Sequence, residues 1–333
     1  MMNKKVSLLI GILFIISVLA GCIDQTQGRA SENQSDLSEN QIENITNSEN
    51  SNGTDDPGVE TARKKVAALS REPRIVATSP SVVDICDKLD IDLVGICSTE
   101  SELPSRYENA VSVGSAMNPD MEIISSLEPD WILSPASLQS DLQPKYETIH
   151  TDWAFLNMKS VAGMYRSIEE LGEIFGRETQ ANQLVNEYQQ FYEEYQNKNA
   201  GKQHPKVLIL MGFPGSYIIA TENSYVGSLV AMAGGENVYA GSDQEFLNVN
   251  TEDMKQKEPD IILRTAHAMP DQVADMFKEE FQGNDIWQHF SAVQNGRVYD
   301  LTQGNFGMSA NFNYPQALAE LQEIFYPETE KTE

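Results

Sequence analysis

The sequence predicts an α/β protein of two lobes joined by one long helix, with a ligand cleft between the lobes. Three observations predict it. From Arg74 onward, short β-branched runs alternate with amphipathic stretches, the pattern of parallel strands covered by helices. A phrase recurs at an offset of 130: "MEIISSLEPDWIL" at 121–133 and "TEDMKQKEPDIIL" at 251–263. Between the two copies, "RETQANQLVNEYQQFYEEYQNKNA" reads as a helix of ~22 residues, about 33 Å long, enough to run beside both lobes. The lobes are therefore expected to be Rossmann-like, each built around its own helix–strand repeat.

The first lobe, 72–158, begins with the strand "RIVAT" and the helix "SPSVVDICDKL", capped by Ser79 or Ser81. "DLVGIC" and "AVSVG" are strands. "NPDMEIISSL" is a helix with Asn118 as N-cap and Pro119 in its first turn. "DWILS" is a strand, "LQSDLQPKYETI" a helix and "HTDWAFL" extended. The segment 159–200 is helical. Val161, Met164, Ile168, Leu171 and Ile174 recur at spacings of three and four, Gly176 breaks the run, and the interlobe helix follows. The second lobe, 205–328, opens on a hairpin: strand "KVLILMG", turn "FPG", strand "SYIIAT". "SYVGSLVAMA" is a helix closed by Gly234 and Gly235. Then come helix "TEDMKQK", strand "DIILR", helices "PDQVADMFKEEF" and "IWQHFSAV", strand "GRVYDL" and the last helix "YPQALAELQEIFY".

The amino terminus carries its own logic. A basic start, Lys4 and Lys5, precedes an apolar run of about 15 residues, which is short for a membrane span and typical of a signal peptide. It ends in "LAGC", where cleavage after residue 21 leaves Cys22 as a thiol for lipid attachment. Residues 22–71, rich in Ser, Asn, Glu and Gln, read as a disordered tether, because they bury too little apolar surface to offset their ordering entropy. The expected location is the outer face of the cytoplasmic membrane, held by lipid. The formal charge is −27, and −29 once residues 1–21 and their two lysines are gone. Such a chain is a poor partner for nucleic acid and is not drawn to anionic lipid. Cys86 and Cys97 sit in apolar contexts and read as buried thiols, with a Cys86–Cys97 disulfide as the alternative the compartment permits.

Ligands of open α/β sheets bind beyond the carboxyl ends of the strands. His267 follows "DIILR" by three residues, in a loop before Pro270. Met117 lies between "AVSVG" and a helix start in the other lobe. Imidazole and thioether are a known axial pair for heme iron. Taken alone, Met117 is also readily read as core filler, one methionine of twelve. His204 is expected to be solvated, His289 to pack within "IWQHFSAV", and His150 has no evident partner. No GxSxG, Walker loop, GxGxxG after a strand or HExxH is present, so no enzyme is expected.

The lipobox, the two lobes on one helix, "GSAMNPDMEIISSLEPDWIL" and "IWQHFSAVQNGRVYDL" together resemble the helical-backbone substrate-binding proteins of ABC importers for iron, heme and cobalamin. "HPKVLILMGFPGSYIIATENSYVGSLVAMAGGENV", "RTAHAMP" and "NDIWQHF" are similar to the heme-binding lipoprotein branch, that of the iron-regulated surface determinant uptake systems. That resemblance implies a monomeric receptor that takes heme between its lobes, with Met117 and His267 as axial ligands. It implies an ABC permease and its ATPase as partners, with surface heme-relay proteins as donors, and it gives Glu122 and Glu252 the role of docking the permease. Siderophore or cobalamin binding is the alternative within the same class. For the pocket, Ser79, Ser81 and Val82 are expected to meet the propionates at a helix start, and Phe213 and Tyr217 to form walls.

Overall fold

The computed structural model describes residues 57–327. In the first lobe, strands β1 (Ile75–Ala77), β2 (Gly95–Ile96), β3 (Val111–Ser112), β6 (Trp131–Pro135) and β7 (Asp152–Leu156) form one parallel sheet in the order β3-β2-β1-β6-β7. Helix α2 (Pro80–Lys88) buries Val82, Val83, Ile85 and Cys86 against it. Between β3 and β6 lies a two-stranded hairpin, β4 (Gly114–Ser115) with β5 (Asn118–Pro119), followed by helix α3 (Met121–Ser126). Helix α4 (Gln139–Tyr146) returns the chain to β7.

The second lobe is a mixed sheet. β8 (Lys206–Phe213) pairs antiparallel with β9 (Ser216–Ala220) and parallel with β12 (Ile261–Ala266), which in turn pairs with β13 (Val298–Asp300). The short β10 (Glu236–Asn237) lies along β8, and β11 (Phe246–Leu247) along β9. Helices α7 (Tyr225–Met232), α8 (Thr251–Gln256), α9 (Pro270–Gly283), α10 (Ser291–Gln294) and α11 (Tyr314–Phe325) complete it.

Two helices join the lobes. α5 (Val161–Phe175) is capped by the Ser160 hydroxyl at its start and ended by Gly176, whose φ of 66° is the left-handed turn that glycine supplies without strain. α6 (Glu178–Asn199), 22 residues long, is the expected interlobe helix. Its first turn touches the first lobe, where Gln180 donates to Asp90 at 3.3 Å. Its last turns rest on the second, where Tyr188 and Phe191 meet Tyr314 and the Tyr195 hydroxyl donates to the Leu318 carbonyl at 3.0 Å.

The recurring phrase is a structural repeat. α3 and α8 are both six-residue helices. Ile124 and Met254, at matching positions, are both fully buried. Each helix ends before a non-glycine residue at positive φ, Glu128 at 46° and Glu258 at 49°, and the Pro-Asp pair follows. The aspartates repeat a contact: Asp130 accepts from the Arg74 N–H at 2.7 Å and Asp260 from the Lys206 N–H at 2.8 Å. Each carboxylate thus fastens the entry of the central strand beside its own.

Several expectations are corrected. The tether does not reach residue 71, because α1 (Pro57–Ala67) is a helix packed on α5. Its apolar stripe of Val59, Ala62 and Val66 is narrow, which hid it in a polar stretch, yet Val59 and Ala62 are buried. Asn118 does not cap α3. It is spent with Pro119 on the hairpin, and Asp120 is the cap, accepting from the N–H groups of Glu122 and Ile123, both at 3.0 Å. "IWQHFSAV" is a 3-10 turn at 285–289, then α10, separated by the extended Phe290. His289 is exposed, as are His150 and His204. Cys86 and Cys97 are buried free thiols, and burial pushes Cys97 up to about 11. The signal peptide, Cys22 and the first part of the tether lie outside the described residues. No helix among those described is long and apolar enough to cross a membrane.

Candidate ligand site between the lobes

In both sheets the order in which successive strands are laid down reverses at the central parallel pair, β1 beside β6 and β8 beside β12. A crevice opens beyond the carboxyl ends of such pairs. In the first lobe the floor beneath it is a buried hydroxyl chain. Thr78 pairs with Ser134 at 2.7 Å and Ser134 with Tyr146 at 2.8 Å. A fully paired chain of this kind stiffens the strand ends.

Ser79 lies two residues beyond the end of β1 and is the N-cap residue of the nine-residue α2. Its side chain makes no cap bond. Its hydroxyl is buried and has no partner among the described residues. A buried hydroxyl left unpaired is costly, and a polar ligand group would satisfy it. Ser81 is half-buried beside it. Val82 is different: its side chain is fully buried in the core and its N–H already donates to the Ser79 carbonyl at 3.1 Å.

Met117 stands at the tip of the β4–β5 hairpin, 71% exposed. That exposure removes the core-filler reading. Hydrophobic burial gives no reason to hold a thioether in water, at a cost of about 1–2 kcal/mol relative to a buried position.

His267 leaves the end of β12, where its N–H donates to the Gly212 carbonyl at 3.0 Å. The strand beneath is rigidly held. Arg264 forms two bonds to Asp300, at 2.7 and 2.5 Å, and lies over Phe277 and Phe281. Thr265 donates to the Phe306 carbonyl at 2.6 Å. Gly212 is required here, since a Cβ on it would lie 2.3 Å from Val273 of α9. The Phe213 ring sits 5.2 Å from the His267 ring. Partial burial holds the His267 imidazole below its ordinary pKa, so at neutral pH it is uncharged with a lone pair to give.

Tyr217 is not brought to this place. It pairs across the hairpin with Gly212, one residue out of phase with Phe213, so it faces the opposite side of the sheet. There it donates to Glu280 at 3.0 Å and lines a separate cavity of about 560 Å³ with Met276 and Glu279. Glu122 and Glu252 are both exposed, each the second residue of its helix.

One residue escaped the sequence reading. Met269, two positions after His267, is 57% exposed and has φ 48°. Nothing in "AHAMPD" announces that conformation.

The periplasmic binding protein family matches residues 75–304. The chain is 42% identical over 258 residues to the high-affinity heme uptake system protein IsdE of Staphylococcus aureus, covering 77% of this chain and 88% of that protein. The solved structure of S. aureus IsdE complexed with heme superposes with a TM-score of 0.73, over 77% of this chain and all (100%) of that one. An ABC transporter substrate-binding protein of Listeria monocytogenes EGD-e is 46% identical with a TM-score of 0.74, over 77% of this chain and 99% of that one. The vitamin B12 binding protein BtuF of Vibrio cholerae shares the fold at 19% identity and a TM-score of 0.60, over 76% of this chain and 94% of that one. The two-lobed architecture, the repeat at its centre and these likenesses lead to one conclusion: the chain belongs to the periplasmic binding protein family.

Proposed function

We propose that this protein is the heme-binding, substrate-binding component of an ABC-type heme importer, anchored by lipid on Cys22 at the outer face of the membrane. The observation that carries the reading is the likeness to the relative solved with heme. Met117 and His267 then supply the chemistry, a thioether from one lobe and a neutral imidazole from the other.

The porphyrin is flat and largely apolar, so enclosure between two lobes removes most of it from water. Both proposed ligands are uncharged. Imidazole is the stronger donor, and the soft thioether suits binding that must later be undone. Phe213 flanks the imidazole and forms a wall. The propionates are anions on an acidic protein and need a locally favourable place. The start of α2 offers one, through the Ser79 hydroxyl and Ser81, with the positive end of the helix dipole behind them. Delivery is to the permease, through Glu122 on one lobe and Glu252 on the other, with the ATPase driving transport and surface relay proteins supplying heme. The receptor acts as a monomer and catalyses no reaction.

The test is an absorption titration of residues 54–333 with ferric heme, beside Met117→Ala and His267→Ala. The expected result is one-to-one binding with a low-spin, six-coordinate spectrum, lost to high-spin forms in both variants. A saturable complex whose spectrum ignores both substitutions overturns the ligand pair. Absence of saturable heme binding overturns the heme reading, and titrations with ferric siderophores and cobalamin then decide between the alternatives.

A further inference from the structure

Three large hydrophobic residues are exposed among those described: Val111, Met117 and Met269. Two are methionines at the carboxyl ends of the two sheets. Other methionines, such as Met158, Met164, Met211 and Met254, are buried. Met269 is also one of four non-glycine residues at positive φ, with Asp90, Glu128 and Glu258. Those three are acidic, and each follows a helix end, where a left-handed residue terminates the helix. Met269 alone is apolar, and it alone precedes a helix. As the first residue flanking α9 it also gives no side-chain cap. An apolar side chain in water and a left-handed backbone fall on one residue, and helix termination explains neither. Such concentrated cost is typical of a surface completed by a ligand.

The loop fixes where that side chain can act. His267 is tied to the end of β8 through Gly212, and the Met269 carbonyl accepts from the Val273 N–H at 3.1 Å in the first turn of α9. Two residues apart on one short, doubly tethered loop, His267 and Met269 cannot reach opposite faces of a planar macrocycle. We propose that Met269 is a heme-contacting residue on the His267 face, its thioether covering the porphyrin beside the imidazole and shielding the iron–imidazole bond from water. This rests on the heme reading above. Met269 is not an axial ligand in this scheme; it sets how long heme stays.

The test uses the full chain in nanodiscs, loaded with ferric heme, with transfer to an excess of apo-myoglobin as the readout. Met269→Asn suits the left-handed backbone but removes the apolar cover; Met269→Leu keeps the cover. The asparagine variant is expected to keep the low-spin spectrum, to lose heme on the order of tenfold faster, and to melt no lower than wild type without heme. The leucine variant is expected to release heme within about threefold of wild type. Equal release from wild type and Met269→Asn overturns the proposal, as does a switch of that variant to a high-spin spectrum, which would make Met269 itself an iron ligand. Failure of the wild-type chain to take up heme is a different result, and it overturns the heme reading on which this one stands.

Discussion

Asp130 and Asp260 look interchangeable in sequence, and one contact of each is. Both accept a backbone N–H from the residue that begins the neighbouring central strand. Asp130 has a second duty, a two-pronged pair with Arg71 at 2.6 and 3.0 Å. That pairing, with the Arg74 N–H, holds its carboxyl below the usual range. Replacing Asp130 with alanine strands a half-buried backbone donor, so that variant is expected to lose about 1–3 kcal/mol in urea unfolding, whereas the exposed Lys206 N–H can turn to water and Asp260→Ala is expected to lose less. Asp130→Ala also carries a pH signature. A carboxyl whose folded pKa is depressed contributes stability above its unfolded value, near 3.9, and loses it as pH falls through the lower folded value. The deficit of Asp130→Ala should therefore be full at pH 6 and should shrink in acid below about pH 4. A deficit that stays constant to pH 2.5 would remove the carboxylate from the explanation.

At the scale of elements, what the sequence displayed depended on how many residues voted. The long strands, the paired helices 161–175 and 178–199, and the repeat were legible because many positions share one period. The repeat was legible for a further reason: Glu122 and Glu252 matched in register beyond what a Pro-Asp turn demands. His267 was legible because a histidine at a strand's carboxyl end is placed by topology. The β4–β5 hairpin was hidden, since two-residue strands have no period and Asn118-Pro119 also reads as a helix start. The opposite facing of Phe213 and Tyr217 was in principle readable. A two-residue turn at Pro214-Gly215 forces Phe213 opposite Ser216, which sends Tyr217 to the other face. The hairpin's position depends on Asp120, which caps α3 and whose N–H reaches the Val113 carbonyl at 2.7 Å. Asp120→Ala should cost about 1 kcal/mol as a lost cap. Because the element it fixes carries Met117, it should also weaken heme binding severalfold while leaving the six-coordinate spectrum in place. A stability loss with unchanged heme affinity would mean that the hairpin holds its place without the cap.

Across the whole molecule, the lobes are not two bodies on a string. One apolar cluster runs from Val82 in the first lobe through Leu171 to Val207, Leu229 and Phe325 in the second. Polar contacts reinforce it: the Ala310 N–H donates to the Met158 carbonyl at 2.8 Å, Lys159 pairs with Glu245 at 3.2 Å, and the hydroxyls of Tyr165 and Tyr314 meet at 3.2 Å. A continuous core resists wide hinge motion, so cleft opening has to be driven from outside. It also holds Glu122 and Glu252 at a set separation. Each helix that carries one leads into the amino end of its strand, so its start, and the glutamate, lie toward the cleft end of the lobe. Under the proposed docking role, two acidic points on a stiff frame would fit a two-point dock on a basic membrane partner, each point adding its share of the force that pulls the lobes apart. Glu122→Ala and Glu252→Ala are therefore expected to bind heme as wild type does in the absorption titration. In cells that rely on this receptor for heme iron, each should cut heme-dependent growth several-fold, on the order of one interfacial charge pair, and the double variant should abolish it. A single variant that supports wild-type growth would show that its glutamate is only a solvated residue of a short helix, and that the matched register serves the fold alone.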